Sequence, residues 1–222
     1  MMGAPQLRPG SPPARIFVQP SDYLNTDRST AQTVRAMAAG VHRASRDELF
    51  RGAALAVPFR YRGHMAMPAA QFANLPAASR QQAAAAVADW WFVKHFVRFV
   101  QDQDLTRKLL GYSDALEALV EPAVMIRCTE PAGDCDDFTM MICALLECQR
   151  IPWEIVTLAC SRKQPGIWSH VFPRAVLGDL RLPLDASHGA YPGWSVPSRD
   201  IQRMAVWDSS GNLVTAPQEE VI

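Results

Sequence analysis

The chain predicts an α+β fold, and three observations carry that expectation. Apolar residues recur at helical spacing through most of the first 120 positions; a further helical pattern opens on a cysteine at residue 135; and beyond residue 153 short runs rich in β-branched and aromatic residues follow, two of them joined by Gly178-Asp179. With 222 residues and 49% hydrophobic content, the chain can bury one sizeable core carrying an elaboration, rather than two independent domains.

Residues 1–20 hold Pro5, Pro9, Pro12, Pro13 and Pro20 and few core-forming side chains, so they read as an extended arm. Residues 21–120 read as a helical N-terminal region. Val34, Met37, Ala38, Val41, Leu49 and Leu55 suit one or two helices turned around Ser45-Arg46-Asp47 and ended by Pro58. A loop leads to Pro76, and Ser79 is placed to cap a long helix from Arg80 to Gln101. Shorter helical pieces are expected over Asp104 to Leu110 and Ser113 to Val120.

Residues 121–208 form the expected core. Phe138, Met141, Ile142, Leu145 and Leu146 mark one helix face, closed by Ile151-Pro152. Strands are expected over Glu154 to Ala159, Ser169 to Leu177 and Leu180 to Leu184 as an antiparallel meander, with a last strand between Trp194 and Trp207. Residues 209–222 read as a poorly structured C-terminal tail.

Lys plus Arg equals Asp plus Glu at 22 each, without a long basic run, which excludes the footprint of a nucleic-acid or anionic-membrane binder. The most apolar stretch, Ala83 to Val100, is interrupted by Asp89, Lys94, His95 and Arg98 and is too charged to span a bilayer. Five cysteines without C-x-x-C pairs or zinc spacing argue against a disulfide framework or structural metal, and no cofactor is expected. No secretory signal is visible, so a cytoplasmic setting is expected.

The chemistry gathers at Gly133-Asp134-Cys135-Asp136-Asp137-Phe138. With Asp134 as N-cap, Cys135 is the first helical residue and Asp137 the third, giving an Asp version of the capping box. Counting back from a Gly178-Asp179 turn that pairs Leu177 with Leu180 puts His170 opposite Ser187 and diagonal to Asp185 on one face. The same parity gives Trp168 and Phe172 to that face, where they wall the site. Asp185 has a competing use as a turn cap before Ala186-Ser187, and His188 is a rival histidine in a loop.

Asp134, Asp136 and Asp137 each cost a neighbouring thiolate on the order of 1 kcal/mol at about 4 Å in water, while the helix terminus returns only about 0.3–1 kcal/mol. The helix alone does not activate Cys135. An imidazolium at His170, held by Asp185, tips the balance.

GDCDDF at 133–138, RIPWEIVTLA at 150–159, WSHVF at 168–172 and LPLDASHG at 182–189 resemble the transglutaminase-like superfamily of cysteine enzymes, especially its bacterial and phage-encoded members. The resemblance implies a papain-like core with Cys135 as nucleophile, His170 as base and Asp185 as orienting acid. Trp168 and Asp136 are candidate substrate contacts. It implies attack on a protein or peptide amide through a thioester, with hydrolysis or transamidation to follow; cell-wall peptide is an alternative substrate. A structural protein of a phage particle or other assembly, binding neighbouring subunits through its terminal arms, is the rival reading, and a virion location goes with it. Arg150 stands where the family commonly has Gly, and Trp90, Trp91, Gln101 and Tyr112 are all candidates for the second oxyanion donor.

Overall fold

The computed structural model describes residues 16–19, 26–61, 74–102 and 117–219. The helix expected over Asp104 to Leu110, most of that over Ser113 to Val120, Tyr112, and all of the arm except Ile16–Gln19 lie outside them. The fold is α+β: N-terminal helices surround a central helix that begins at Cys135 and packs on a five-stranded antiparallel sheet.

Helix α1 (Asp27–Ala44) is capped by the Thr26 hydroxyl, which accepts from Ser29 N at 3.1 Å. The turn expected at 45–47 starts α2 (Glu48–Arg60), where Asp47 Oδ1 accepts from Phe50 N at 2.9 Å while both its oxygens accept from Arg127 Nη2. Contrary to expectation, Pro58 lies inside α2. A proline deprives the carbonyl four residues back of its N–H, and here that orphan, Ala54 O, accepts from the Gln149 amide at 3.1 Å. Helix α3 (Ala77–Phe96) starts earlier than predicted, with Pro76 rather than Ser79 at its N-cap, and stops where Val97 turns extended. A proline already fixes the entry backbone there, so Ser79 falls within the first turn.

After α3, β2 (Arg98–Phe99) pairs in parallel with β4 (Ala132–Gly133), and β1 (Ile16–Gln19) pairs antiparallel with β3 (Glu117–Val120). Residues 117–120 are thus strand, not helix. A short helix, α4 (Pro122–Met125), leads to α5 (Cys135–Cys148). Sequence periodicity assigned one apolar face to α5, but every residue from Asp136 to Leu146 is buried. Helices α1, α2 and α3 cover the sides that the sheet leaves open, which is the environment an all-round apolar helix requires. Each large apolar side chain so buried contributes roughly 1.5–3 kcal/mol.

The sheet order is β7-β6-β5-β8-β9, with β5 (Trp153–Ala159), β6 (His170–Leu177), β7 (Leu180–Pro183), β8 (Arg203–Trp207) and β9 (Leu213–Glu219). Only β5 to β7 form a meander; β8 returns to the other edge of β5. Strand β9 corrects the reading of 209–222 as poorly structured. Its approach is anchored to α1, where Ser209 O meets His42 Nε2 at 2.9 Å and Gly211 lies against the Arg35 backbone. Ile155, Ala159, Val171 and Ala175 belong to the core shared with α5, while Val156, Leu158 and Phe172 form a second cluster under Val196, Ile201 and Met204. Both sheet faces are therefore covered. None of the described helices is long and apolar enough to cross a membrane.

Candidate functional site

The start of α5 has the cap that its sequence predicts. Asp134 Oδ1 accepts from Asp136 N at 3.3 Å, and Asp137 Oδ2 accepts from Asp134 N at 3.3 Å. Asp137 Oδ1 also accepts from Val120 N at 2.7 Å. A Cβ at Gly133 would lie 2.1 Å from Asp137 Oδ2, so only glycine leaves room for this buried carboxyl. The half-buried Cys135 thiol donates to Asp136 Oδ1 at 3.2 Å. Asp136 thus touches the thiol itself.

Sequence arithmetic treated the aspartates as full charges, and the structure changes that. Burial, with the neighbouring charge of Asp136, pushes Asp134 well above the usual carboxylate range. Burial and Asp134 do the same to Asp137. Asp102, which sequence reasoning did not single out, joins them: its Oδ2 accepts from Ala118 N at 2.5 Å, and burial followed by the charges of Asp134, Asp137 and Asp136 raises it to about 10. An upward shift of Asp134 and Asp137 reduces the penalty that full charges there would impose on a thiolate at Cys135, while Asp136 stays against the thiol.

His170 begins β6, and its Nε2 lies 2.7 Å from Asp185 Oδ2 with both side chains buried. An ionised carboxylate only accepts, so the proton sits on Nε2 and Nδ1 is the ring's acceptor. The hairpin register is as expected, Leu177 opposite Leu180 with Gly178 at φ 68°, but the ladder ends at Arg174–Pro183. His170 therefore does not face Ser187 across a ladder. Instead the chain curls after Leu184: Asp185 Oδ1 accepts from His188 N at 2.9 Å and from the Ser187 hydroxyl at 2.8 Å, leaving Oδ2 to His170. The two uses of Asp185 that the sequence set against each other coexist. Burial opposes its ionisation, but His170, the His188 N–H and Ser187 outweigh that and hold it below the usual carboxylate range.

Lys94 of α3 secures this turn. Its Nζ donates to Ala186 O at 2.9 Å and Gly189 O at 3.1 Å, and a Cβ at Gly189 would meet Asp185 O at 2.2 Å. Partial burial lowers the Lys94 ammonium, with the Asp185 carboxylate opposing. His188 packs edge-on to His170 at 4.7 Å; burial, then the charge of His170, lowers its imidazole.

Two links join the first turn of α5 to this pair. Thr139 Oγ1 reaches Cys135 O at 2.7 Å and Val171 O, beside His170, at 3.3 Å. A row of rings runs from Phe138 to Phe99 (6.2 Å), to His188 (5.3 Å) and to His170. Phe172 stacks on His170 at 5.9 Å, as pleat alternation predicts. Trp168 does not share that role: its indole donates to Asp27 Oδ1 at 2.8 Å beneath the Arg203 guanidinium. It precedes β6, where strand parity does not apply. Lys94, Phe99 and Asp102 were beyond sequence reasoning because tertiary packing alone brings them to the site.

Among the described residues, three sets of side chains have the spacing to hold a cation: His170, Asp185 and His188; Asp134, Cys135 and Asp136; and Asp102, Asp134 and Asp137. In the third, the carboxyls already accept from backbone N–H groups and are shifted toward their neutral forms.

No protein-family model and no curated protein matches this chain. Among solved structures it is similar to a Cytophaga hutchinsonii protein described as a "Putative Cysteine Protease", with 15% identity and a TM-score of 0.43, over 92% of this chain and 58% of that one. The present chain corresponds to little more than half of that protein's length.

Proposed function

We propose that the chain is a thiol-dependent amide hydrolase or acyl transferase with a transglutaminase-like, papain-like core, acting on a protein or peptide amide through Cys135, His170 and Asp185. The observation that carries this reading is the 2.7 Å bond from His170 Nε2 to an Asp185 carboxylate that other donors hold ionised. It leaves Nδ1 as the basic atom at the end of the sheet to which Thr139 ties the start of α5.

In the proposed cycle the Cys135 thiol turns from Asp136 to His170 Nδ1 and gives up its proton there. The thiolate attacks the amide carbon and forms the C–S bond. The imidazolium, its charge stabilised by Asp185, protonates the amide nitrogen as the C–N bond breaks. Water or an amine then gives a proton to Nδ1, attacks the thioester carbon, and displaces Cys135, which recovers the proton. A backbone N–H beside the thiol, at Cys135 or Asp136, would donate to the oxyanion.

His170→Ala tests the ion pair. Alkylation of Cys135 by iodoacetamide at pH 7, followed by peptide mass mapping, is expected to slow more than about tenfold, because an unperturbed thiol is only a few per cent ionised there. Unchanged labelling would refute the mechanism. Trapping of Cys135 as an acyl adduct with peptide, glutamine-containing or cell-wall substrates tests the enzyme reading, and no adduct with any of them would overturn it.

A further inference from the structure

A cavity of about 290 Å³ opens beside His170, walled by Trp194 and Val196 and edged by His188, Ser169 and Cys160. We propose that it is the subsite for the amine side of the substrate, taking an uncharged apolar side chain from the residue that follows the cleaved bond. The proposal rests on the reading of Cys135 as nucleophile and His170 as base. The acyl carbon must sit on Sγ, but the amine leaves with a proton from His170, and by microscopic reversibility the acceptor enters where that amine departed. His170, not Cys135, bounds this cavity, so its occupant is the part of the substrate that the imidazole handles.

The lining sets the chemistry. Its residues include no lysine, arginine or carboxylate. Val196 packs against the Val156, Leu158 and Phe172 cluster, which makes that wall part of a hydrophobic core. A cationic side chain would face the imidazolium that forms when the thiol ionises, and a carboxylate would lose its hydration against Trp194 and Val196. The volume is at the small end of ligand pockets and suits one large side chain.

The test is digestion of a proteome-derived peptide mixture by the full chain, with new amino termini read by mass spectrometry and acylation of Cys135 followed by intact mass. Leu, Ile, Met and Phe are expected at new amino termini roughly tenfold over Gly, with Lys and Arg depleted. Val196→Trp, which fills the cavity, should shift the preference to Gly, Ala and Ser; Trp194→Ala, should the first variant fold poorly by circular dichroism, should flatten the apolar preference. Acylation without that preference, or a preference that survives both substitutions, overturns the subsite and leaves the nucleophile assignment standing. No acylation of Cys135 by any peptide overturns that assignment, and the subsite with it.

Discussion

Asp137 at the start of α5 and Asp185 beyond the end of β7 are both nearly inaccessible, at 0% and 1% exposure, yet they hold protons in opposite ways. Burial raises Asp137, and its neighbour Asp134 raises it further; the Val120 N–H it accepts does not compensate. Burial acts on Asp185 in the same direction, but an imidazole, a hydroxyl and a backbone N–H reverse it. Lys94 stands close enough for Asp185 to counter the lowering of its ammonium. Depth therefore does not decide the charge. One end of the site shifts the acids that cap α5 toward their neutral form, and the other favours an anion beside His170.

The comparison breaks most severely at Asp185→Asn. The amide offers a single oxygen and puts an NH2 where Oδ1 or Oδ2 accepted, so the turn bonds and the Nε2–H bond compete for one acceptor. If turnover depends on the tautomer, kcat should fall on the order of 10³–10⁴-fold in amide-hydrolysis or amine-transfer assays, with far-UV circular dichroism preserved. A loss of less than about tenfold would leave Asp185 as a turn cap only. Next in size is Lys94→Met, which removes both carbonyl contacts from the 186–189 turn. Activity is expected to drop about tenfold, in the range for a mispositioned catalytic group, and the downfield Nε2–H proton resonance of His170 should broaden. An unchanged resonance would show that the turn holds Asp185 without help from α3.

What the sequence revealed of these two ends follows from how local each cause is. The capping box at Asp134, Cys135 and Asp137 and the Leu177–Leu180 hairpin depend on neighbours within a few residues, and both are present as read. The His170–Asp185 contact was anticipated by extending a ladder that in fact stops at Pro183. The residue pair was right and the route was not, because an aspartate-centred turn takes over where the strand ends. The upward shift of the acids around Cys135 was illegible, since its largest cause is burial that only packing creates. The all-round burial of α5 had a signal in the unbroken run from Phe138 to Leu146, which a one-face template overlooked. Strand β9 had none of comparable strength: Leu213 and Val214 are exposed, so alternation there is weak.

The acidic end is sharpened by Asp102→Asn, which keeps one oxygen for Ala118 N and removes the ionisable group. Asp102 is raised to about 10 in the folded chain and returns to about 4 when unfolded. Between those values the folded state binds more protons than the unfolded one, so stability falls as pH rises through this window. The variant should lack that slope. Its thermal midpoint is expected to exceed that of the parent by a few degrees at pH 8–9 and to converge with it near pH 4. Parallel curves would place the Asp102 proton elsewhere in the cluster. The Asp185 contribution has the opposite sign, present above the ordinary carboxylate range and lost as acid protonates it.

The smallest expected effect lies at the far end of α5, away from both carboxyl environments. Ile151 N donates to Leu146 O at 2.9 Å and Arg150 N to Glu147 O at 3.1 Å, the paired bonds of a Schellman cap. Arg150 holds the left-handed position at φ 58° that such a cap ordinarily gives to glycine. An arginine in this position therefore leaves the cap geometry intact. Arg150→Gly relieves the Cβ strain but widens the unfolded ensemble, so the net gain should be only about 0.5–1 kcal/mol, or roughly one to four degrees in the thermal midpoint. Because the cap lies a full helix length from Cys135, alkylation of the thiol should not change with it. A shift in labelling rate would mean that the pitch of α5, set at its C-terminus, reaches the acidic end, and that the two regions are mechanically coupled through the helix.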